Sequence, residues 1–191
     1  MLLTRLRQET APQHGALEAM LRPPESADAY RERLRLFYGY ISPWEPRVFD
    51  ALRDHPALVE GGSKARWLEE DLRALGESAD DLAGLPRCEE LPGLATPWAA
   101  MGSLYVWEGA TLGGQIASRD ARERFGIEAD SGGRFYFGYG ADTGRHWRRF
   151  CDVLTAAVPP EHADETVAAA RQTFSSLHRW VEACARHGAL A

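Results

Sequence analysis

The chain has 191 residues and a net charge of −6, from 22 Lys and Arg against 28 Asp and Glu. This length suits one domain over residues 1–191, and the acidic balance argues against nucleic acid as a partner, because phosphate binding needs a basic surface. No apolar run approaches the roughly 20 residues of a membrane span, and no secretion leader is recognisable. We therefore expect a cytoplasmic monomer. Its three cysteines form no C-x-x-C pair, which excludes zinc-ribbon and thioredoxin-type sites.

Apolar residues recur with helical spacing along almost the whole chain, which predicts an all-α fold of seven or eight helices. The first helix places His14 on the same stripe as Leu17. Two starts are possible for this helix, because proline is tolerated in a first turn. Either it begins at Thr10 and Pro12, or the chain is helical from Leu3 and Pro12 marks a kink.

Proline and glycine punctuate the segments that follow. A second helix is expected from about Ser26, and Pro43 and Pro46 are expected to break it because proline lacks a backbone N–H. Ser63 follows two glycines and is the expected N-cap of a short amphipathic helix that ends at Gly76.

The second half of the chain begins with a strong helix-start signal. Thr96 is followed by Pro97, which indicates an N-cap and a first-turn proline, and the helix should continue to about Phe125. Residues 126–144 are rich in glycine and aromatic side chains and are expected to form a loop or a short helix. Two more helices are expected, one from residue 144 and one after Pro160.

Four glycines stand inside the helix that follows Pro97, although each costs roughly 0.5–1 kcal/mol relative to alanine. At 100° per residue, Gly102, Gly109 and Gly113 share one narrow stripe, and Gly114 lies beside it. Such a stripe permits either close helix–helix packing or the approach of a wide, flat ligand. The adjacent pair Gly113–Gly114 exceeds what one helix crossing requires and favours the ligand.

The histidines do not form a metal-binding motif. None stands in H-E-x-x-H or in Glu-x-x-His, so the sequence lacks the motifs of zinc proteases and of di-iron helical bundles. His14 is either a satisfied core or boundary histidine or the single protein ligand of one metal. Arg7 lies two helical turns before it. A second basic group consists of Arg145, His146, Arg148 and Arg149. Two interpretations of these basic groups stay open. They lie on solvated helix faces, or their guanidinium groups bind the carboxylates of a ligand.

Three segments carry a family pattern: RLRQETAPQHGALE, LYVWEGATLGGQIASR and FYFGYGADTGRHWRRF. Their motifs, order and spacing resemble the biliverdin-producing haem oxygenases, in particular the short bacterial type found beside bacteriophytochromes. The resemblance implies an all-α, single-domain fold with haem between a proximal and a distal helix. It implies that His14 is the proximal ligand of the haem iron, that Arg7 and Arg148 bind the propionates, and that Phe174 forms an aromatic wall.

On the distal side, the resemblance implies that the backbone at Gly109, Gly113 and Gly114 lies over the face of the haem and forms the catalytic surface. Many members of the family carry an aspartate directly after the first of these glycines, where it organises water. This chain has Ala110 there. The residues that organise distal water are therefore left open.

The resemblance also implies the reaction. Haem is both substrate and cofactor, and O2 and external electrons open the ring to biliverdin, expected to be the α isomer, with release of carbon monoxide and ferrous iron. No flavin or iron–sulfur motif is present, so a separate ferredoxin or reductase is expected, with a bacteriophytochrome as a possible acceptor of biliverdin. Two alternatives stay open: a non-catalytic haem carrier or sensor on the same fold, and a thiaminase-like all-α enzyme.

Overall fold

A computed structural model describes residues 1–186, so His187 and the end of the expected domain lie outside the described residues. Over residues 1–186 the chain contains eight α-helices and no strand, which confirms the predicted all-α class. The helices are α1 (Leu2–Met20), α2 (Ala27–Ala51), α3 (Lys64–Ala74), α4 (Ala79–Gly84), α5 (Pro97–Phe125), α6 (Arg134–Phe137), α7 (Thr143–Ala157) and α8 (Ala163–Arg186).

Prolines interrupt the first two helices less than the sequence suggests. Helix α1 begins at Leu2 and continues through Pro12, so the start at Thr10 is wrong. The predicted break at Pro43 and Pro46 is also wrong, because α2 continues through both. Each proline costs about 3 kcal/mol in a helix interior. Around Pro43 and Pro46, burial of the apolar side chains of Ile41, Trp44 and Val48, each 0% exposed, outweighs this cost.

Helix α5 begins and ends as predicted. The Thr96 hydroxyl accepts a hydrogen bond from the Ala99 N–H at 3.1 Å, and Pro97 occupies the first turn. At the other end, Gly126 adopts a left-handed conformation with φ of 68°, which terminates the helix. The 29-residue helix is therefore defined by local chemistry at both ends.

Helix α8 organises the core, because it packs against both α1 and α5. A buried hydrogen-bond network joins α8 and α2 to α5: Ser103 on α5 accepts from the Trp44 indole of α2 at 2.8 Å and from the Thr173 hydroxyl of α8 at 2.7 Å. Helix α8 thus fixes the relative positions of α1 and α5. Among residues 1–186, no helix combines the length and apolarity needed to span a membrane.

Gly102 is a packing residue at the crossing of α5 and α8. A Cβ atom there would overlap the carbonyl oxygen of Thr166, which is backbone and cannot swing aside. Of the two uses that the glycine stripe permits, close helix–helix packing is the one found at Gly102. Helical angle places it beside Gly109, but α8 lies against Gly102, whereas no α8 atom lies within 4 Å of the Cβ position of Gly109.

Substitution by alanine should have opposite effects on stability at Gly102, which is packed against α8, and at Gly113, which is open. Gly102→Ala should lower the free energy of unfolding by about 1–3 kcal/mol, because the methyl group overpacks the helix crossing. Gly113→Ala is the matched control, since no atom lies within 4 Å of its Cβ position. It should be neutral or stabilising by up to about 1 kcal/mol, because alanine favours helix. Urea unfolding of the protein without added ligand measures both changes, and equal destabilisation would contradict this assignment.

Candidate functional site

His14 stands on α1 with 54% of its side chain exposed, so it is not a buried core histidine. Its Nδ1 lies 3.5 Å from a Glu18 carboxylate oxygen, and its ring meets the buried Phe174 of α8 edge-on, with centroids 5.6 Å apart. A carboxylate at Nδ1 orients the ring and leaves Nε2 free to bind a metal. Within residues 1–186, no group of three or more His, Cys, Asp or Glu could hold a metal ion.

One face of α5 carries no side chains over about one helical turn, from Gly109 to Gly113. No atom lies within 4 Å of the Cβ position of Gly113, and at Gly109 only the edge of the Trp147 ring comes near, at 3.4 Å. Leu112 and Ile116 border this face and are 41% and 73% exposed. An exposed backbone bordered by exposed apolar side chains can accept a flat, largely apolar ligand.

Gly114 differs from these two glycines. It is buried, and a Cβ atom there would lie 2.8 Å from the carbonyl oxygen of Tyr136 on α6. Its side of α5 therefore contacts α6. The expected role of Gly114 at a ligand face stays a prediction.

Arg7 and Arg148 are the exposed basic residues that the sequence placed at the site. Burial raises the pKa of Tyr105 on α5, and the charge of Arg7 opposes this shift, so Arg7 acts on α5 from α1. In the described part of the chain neither arginine has a carboxylate partner. Arg145 and Arg149, on the same helix as Arg148, are both paired with carboxylates. Arg7 and Arg148 are therefore both available to an external carboxylate.

Sequence reasoning missed a buried group behind α5, here called the Glu108 cluster: Lys64, Glu108, Tyr139 and His146. Glu108 and Lys64 are each only 3% exposed and form an ion pair at 2.5 Å. Burial disfavours the charged carboxylate, but Lys64, supported by His146, overcomes this and lowers the pKa of Glu108 to about 2. One signal was present in the sequence, since Lys64 is the only lysine of the chain.

Asp71 anchors the segment that covers Gly114. Its buried carboxylate accepts hydrogen bonds from the backbone N–H groups of Arg134 and Phe135, each at 2.7 Å, at the start of α6. Burial raises the pKa of Asp71 to about 6 despite these bonds. Because α6 also carries Tyr136, this anchor fixes the backbone that lies against Gly114.

Comparison with known proteins gives one consistent result. A family sequence model described as heme oxygenase matches residues 1–183. The heme oxygenase of Xanthomonas campestris pv. campestris (strain 8004) is 32% identical over 165 residues, which cover 84% of this chain and 93% of that protein.

Two solved structures share the fold. The NO- and CO-bound heme oxygenase of Neisseria meningitidis matches with a TM-score of 0.74 and 21% identity, over 96% of this chain and 91% of that one. Heme oxygenase 2 of Chlamydomonas reinhardtii, solved without heme, matches with a TM-score of 0.73 and 21% identity, over 95% and 96%. At this identity the likeness supports the all-α architecture alone.

The raised pKa of Asp71 predicts how stability depends on pH. Folding raises this pKa from 3.8 to about 6, so the folded state binds the proton more tightly and the stabilisation is lost as pH rises through 6. Between pH 4 and 7, the free energy of unfolding of the wild type should fall by roughly 2–3 kcal/mol more than that of Asp71→Asn. Urea unfolding across this range measures the difference, and parallel profiles would contradict the assignment.

Proposed function

Since this chain belongs to the haem oxygenase family and is a haem-degrading oxidoreductase, we propose that it holds haem between α1 and α5 and that His14 would bind the iron. One observation supports this placement above all. A half-exposed imidazole stands on α1, and a face without side chains, at Gly109 and Gly113, stands on α5. Because α8 packs against both helices, the two features belong to one rigid frame.

The residues on α1 suit an iron porphyrin. A single imidazole is sufficient, because the porphyrin supplies the other ligands of its iron. The Glu18 carboxylate lies 3.5 Å from Nδ1 of His14, a position that favours the tautomer presenting Nε2. Phe174 packs against the imidazole and limits its rotation. When bound, haem supplies the iron that activates O2 and the ring carbon that is oxidised.

On the other side, α5 contributes backbone instead of side chains. The bare face at Gly109 and Gly113 lets the helix approach the ring closely, which limits the space above the iron and directs oxidation to the edge of the ring. Ala110 is exposed and supplies no carboxylate, so backbone groups take the place of an acidic side chain in ordering water. The backbone of Gly114 is predicted to belong to the same surface.

The free arginines are proposed to bind the two propionates of haem. Arg7 on α1 and Arg148 on α7 are exposed and lack carboxylate partners among residues 1–186, and guanidinium groups match carboxylates in geometry and charge. Together they would set the rotation of the ring and therefore which edge faces the bare helix. We propose opening at the α position, with biliverdin, carbon monoxide and ferrous iron as products.

The reaction needs O2 and electrons from outside this domain, and a ferredoxin or reductase is the proposed donor. Delivery of biliverdin to a bacteriophytochrome, a monomeric state and a cytoplasmic location stay predictions. The family match leaves no support for a thiaminase-like enzyme. A haem carrier or sensor that does not turn over is separated from an oxygenase by the product assay below.

We expect His14→Ala to lose the characteristic Soret band of the haem complex and to form no biliverdin with reductant and O2. The loss should exceed the roughly 10–100-fold effect typical of a removed supporting group, because the ligand itself is gone. The matched control is His178→Ala, since His178 also sits on a helix with a carboxylate four residues later, Glu182 at 3.8 Å. Haem titration and product absorbance measure both variants.

Three outcomes of this experiment are informative. An unchanged Soret band in His14→Ala would contradict the ligand assignment. A stable haem complex of the wild type without biliverdin would favour the carrier. No haem binding by the wild type would refute both haem functions.

We expect Arg148→Ala to weaken haem binding roughly threefold to tenfold and to change the ratio of biliverdin isomers, because one exposed charge-assisted contact is lost. Arg149→Ala is the matched control from the same helix, since Arg149 is paired with Glu60. Chromatography of the isomers and haem titration check the prediction. Equal effects of the two variants would contradict a specific propionate contact.

A further inference from the structure

Three structural elements converge on the Glu108 carboxylate. Lys64 of α3 donates to one oxygen at 2.5 Å, and the hydroxyl of Tyr139 donates to the other at 3.1 Å. His146 Nε2 of α7 lies 3.2 Å from that second oxygen. Because Glu108 directly precedes Gly109, groups that fix this carboxylate also fix the beginning of the bare face of α5.

Lys64 connects this carboxylate to a second one. Its backbone N–H donates to the buried Glu45 of α2 at 2.6 Å, and the hydroxyl of Ser63 donates to the same carboxylate. Burial raises the pKa of Glu45, and contacts with Ser63 and Lys64 oppose the shift. Through one residue, α2 and the start of α3 are joined to α5.

The rings of the cluster fit tightly. Tyr139 and His146 stack with centroids 3.6 Å apart. A Cβ atom on Gly61 would overlap the Tyr139 hydroxyl and lie 2.9 Å from His146 Cε1, so only glycine permits the loop before α3 to close over this stack. Trp147, the neighbour of His146, reaches the Cβ position of Gly109. Helix α7 therefore contacts α5 at two adjacent positions.

A buried ion pair is a poor source of stability, because desolvation of both charges offsets their attraction. Apolar residues of similar volume often replace such a pair without loss. Its directional hydrogen bonds can instead specify one arrangement of the helices. With a Cα radius of about 2.3 Å, rotation of a helix by 20° moves its backbone by about 0.8 Å. A displacement near 1 Å can cost about 100-fold in rate when a reacting group is misplaced.

We infer that Glu108 is a positioning residue for the distal side of the haem site. Lys64, Tyr139 and His146 fix its carboxylate, and this contact sets the rotation of α5 that turns Gly109 and Gly113 toward the ring. The inference rests on the proposed function, because it assumes that haem lies on this face. In the proposed complex, the Glu108 cluster itself contacts neither haem nor its propionates.

The test compares Glu108→Gln and the double variant Lys64→Met/Glu108→Leu with the wild type, all titrated with haem. Both variants should keep a Soret band, because His14 is untouched. We expect an altered ratio of high-spin to low-spin ferric haem and a broader distribution of biliverdin isomers. The kcat should fall about tenfold to 100-fold, while KM for haem changes by less than about threefold. The double variant removes both charges of the Lys64–Glu108 pair together, so we expect it to stay folded even if Glu108→Gln does not.

Glu77→Gln is the matched control, because Glu77 is another buried carboxylate in an ion pair, with Arg35 at 2.5 Å. It should lower the melting temperature and leave the spin-state ratio and the isomers unchanged. If the double variant keeps the wild-type spin state, isomers and kcat, the inference is wrong while the proposed function stands. If the wild type binds no haem, the proposed function fails and this inference fails with it.

Discussion

A helix of 29 residues that contains four glycines gives up roughly 0.5–1 kcal/mol at each of them, and the neighbours of α5 explain what is gained. Helix α8 approaches closely at Gly102, and the backbone of α6 lies against Gly114. Gly109 and Gly113 have no comparable packing partner. Gly102 and Gly114 are therefore in close contact with the backbone of neighbouring helices. Gly109 and Gly113, which lie between them in the sequence, form a bare surface. A flat substrate can approach the helix backbone most closely where side chains are missing.

The surrounding structure holds that surface in place from two directions. Helix α8 supports α5 from one side and also carries Phe174, which packs edge-on against His14. From behind, the Glu108 cluster connects α5 to α3 and α7. The His14 side and the bare side of the proposed site are therefore coupled through the core instead of through a flexible loop. This rigidity suits the proposed reaction, in which the edge of the ring that faces the helix would decide the product.

Local chemistry explains what could be read from the sequence. Helical periodicity and the caps at Thr96 and Gly126 define α5 without reference to the rest of the fold. The break predicted at Pro43 failed because burial of the neighbouring side chains outweighs the proline cost. Gly102 and Gly113 are equivalent by helical angle, and only the position of α8 distinguishes them. The Glu108 contacts join residues 31 to 44 positions apart, so no local pattern reveals them.

The most direct test of the proposed haem site is a crystal structure of the ferric haem complex. We predict that the iron is bonded to Nε2 of His14 and that the opposite face of the ring lies against the backbone of Gly109 and Gly113. Coordination of the iron by another side chain, or a ring placed away from this face of α5, would contradict the proposal.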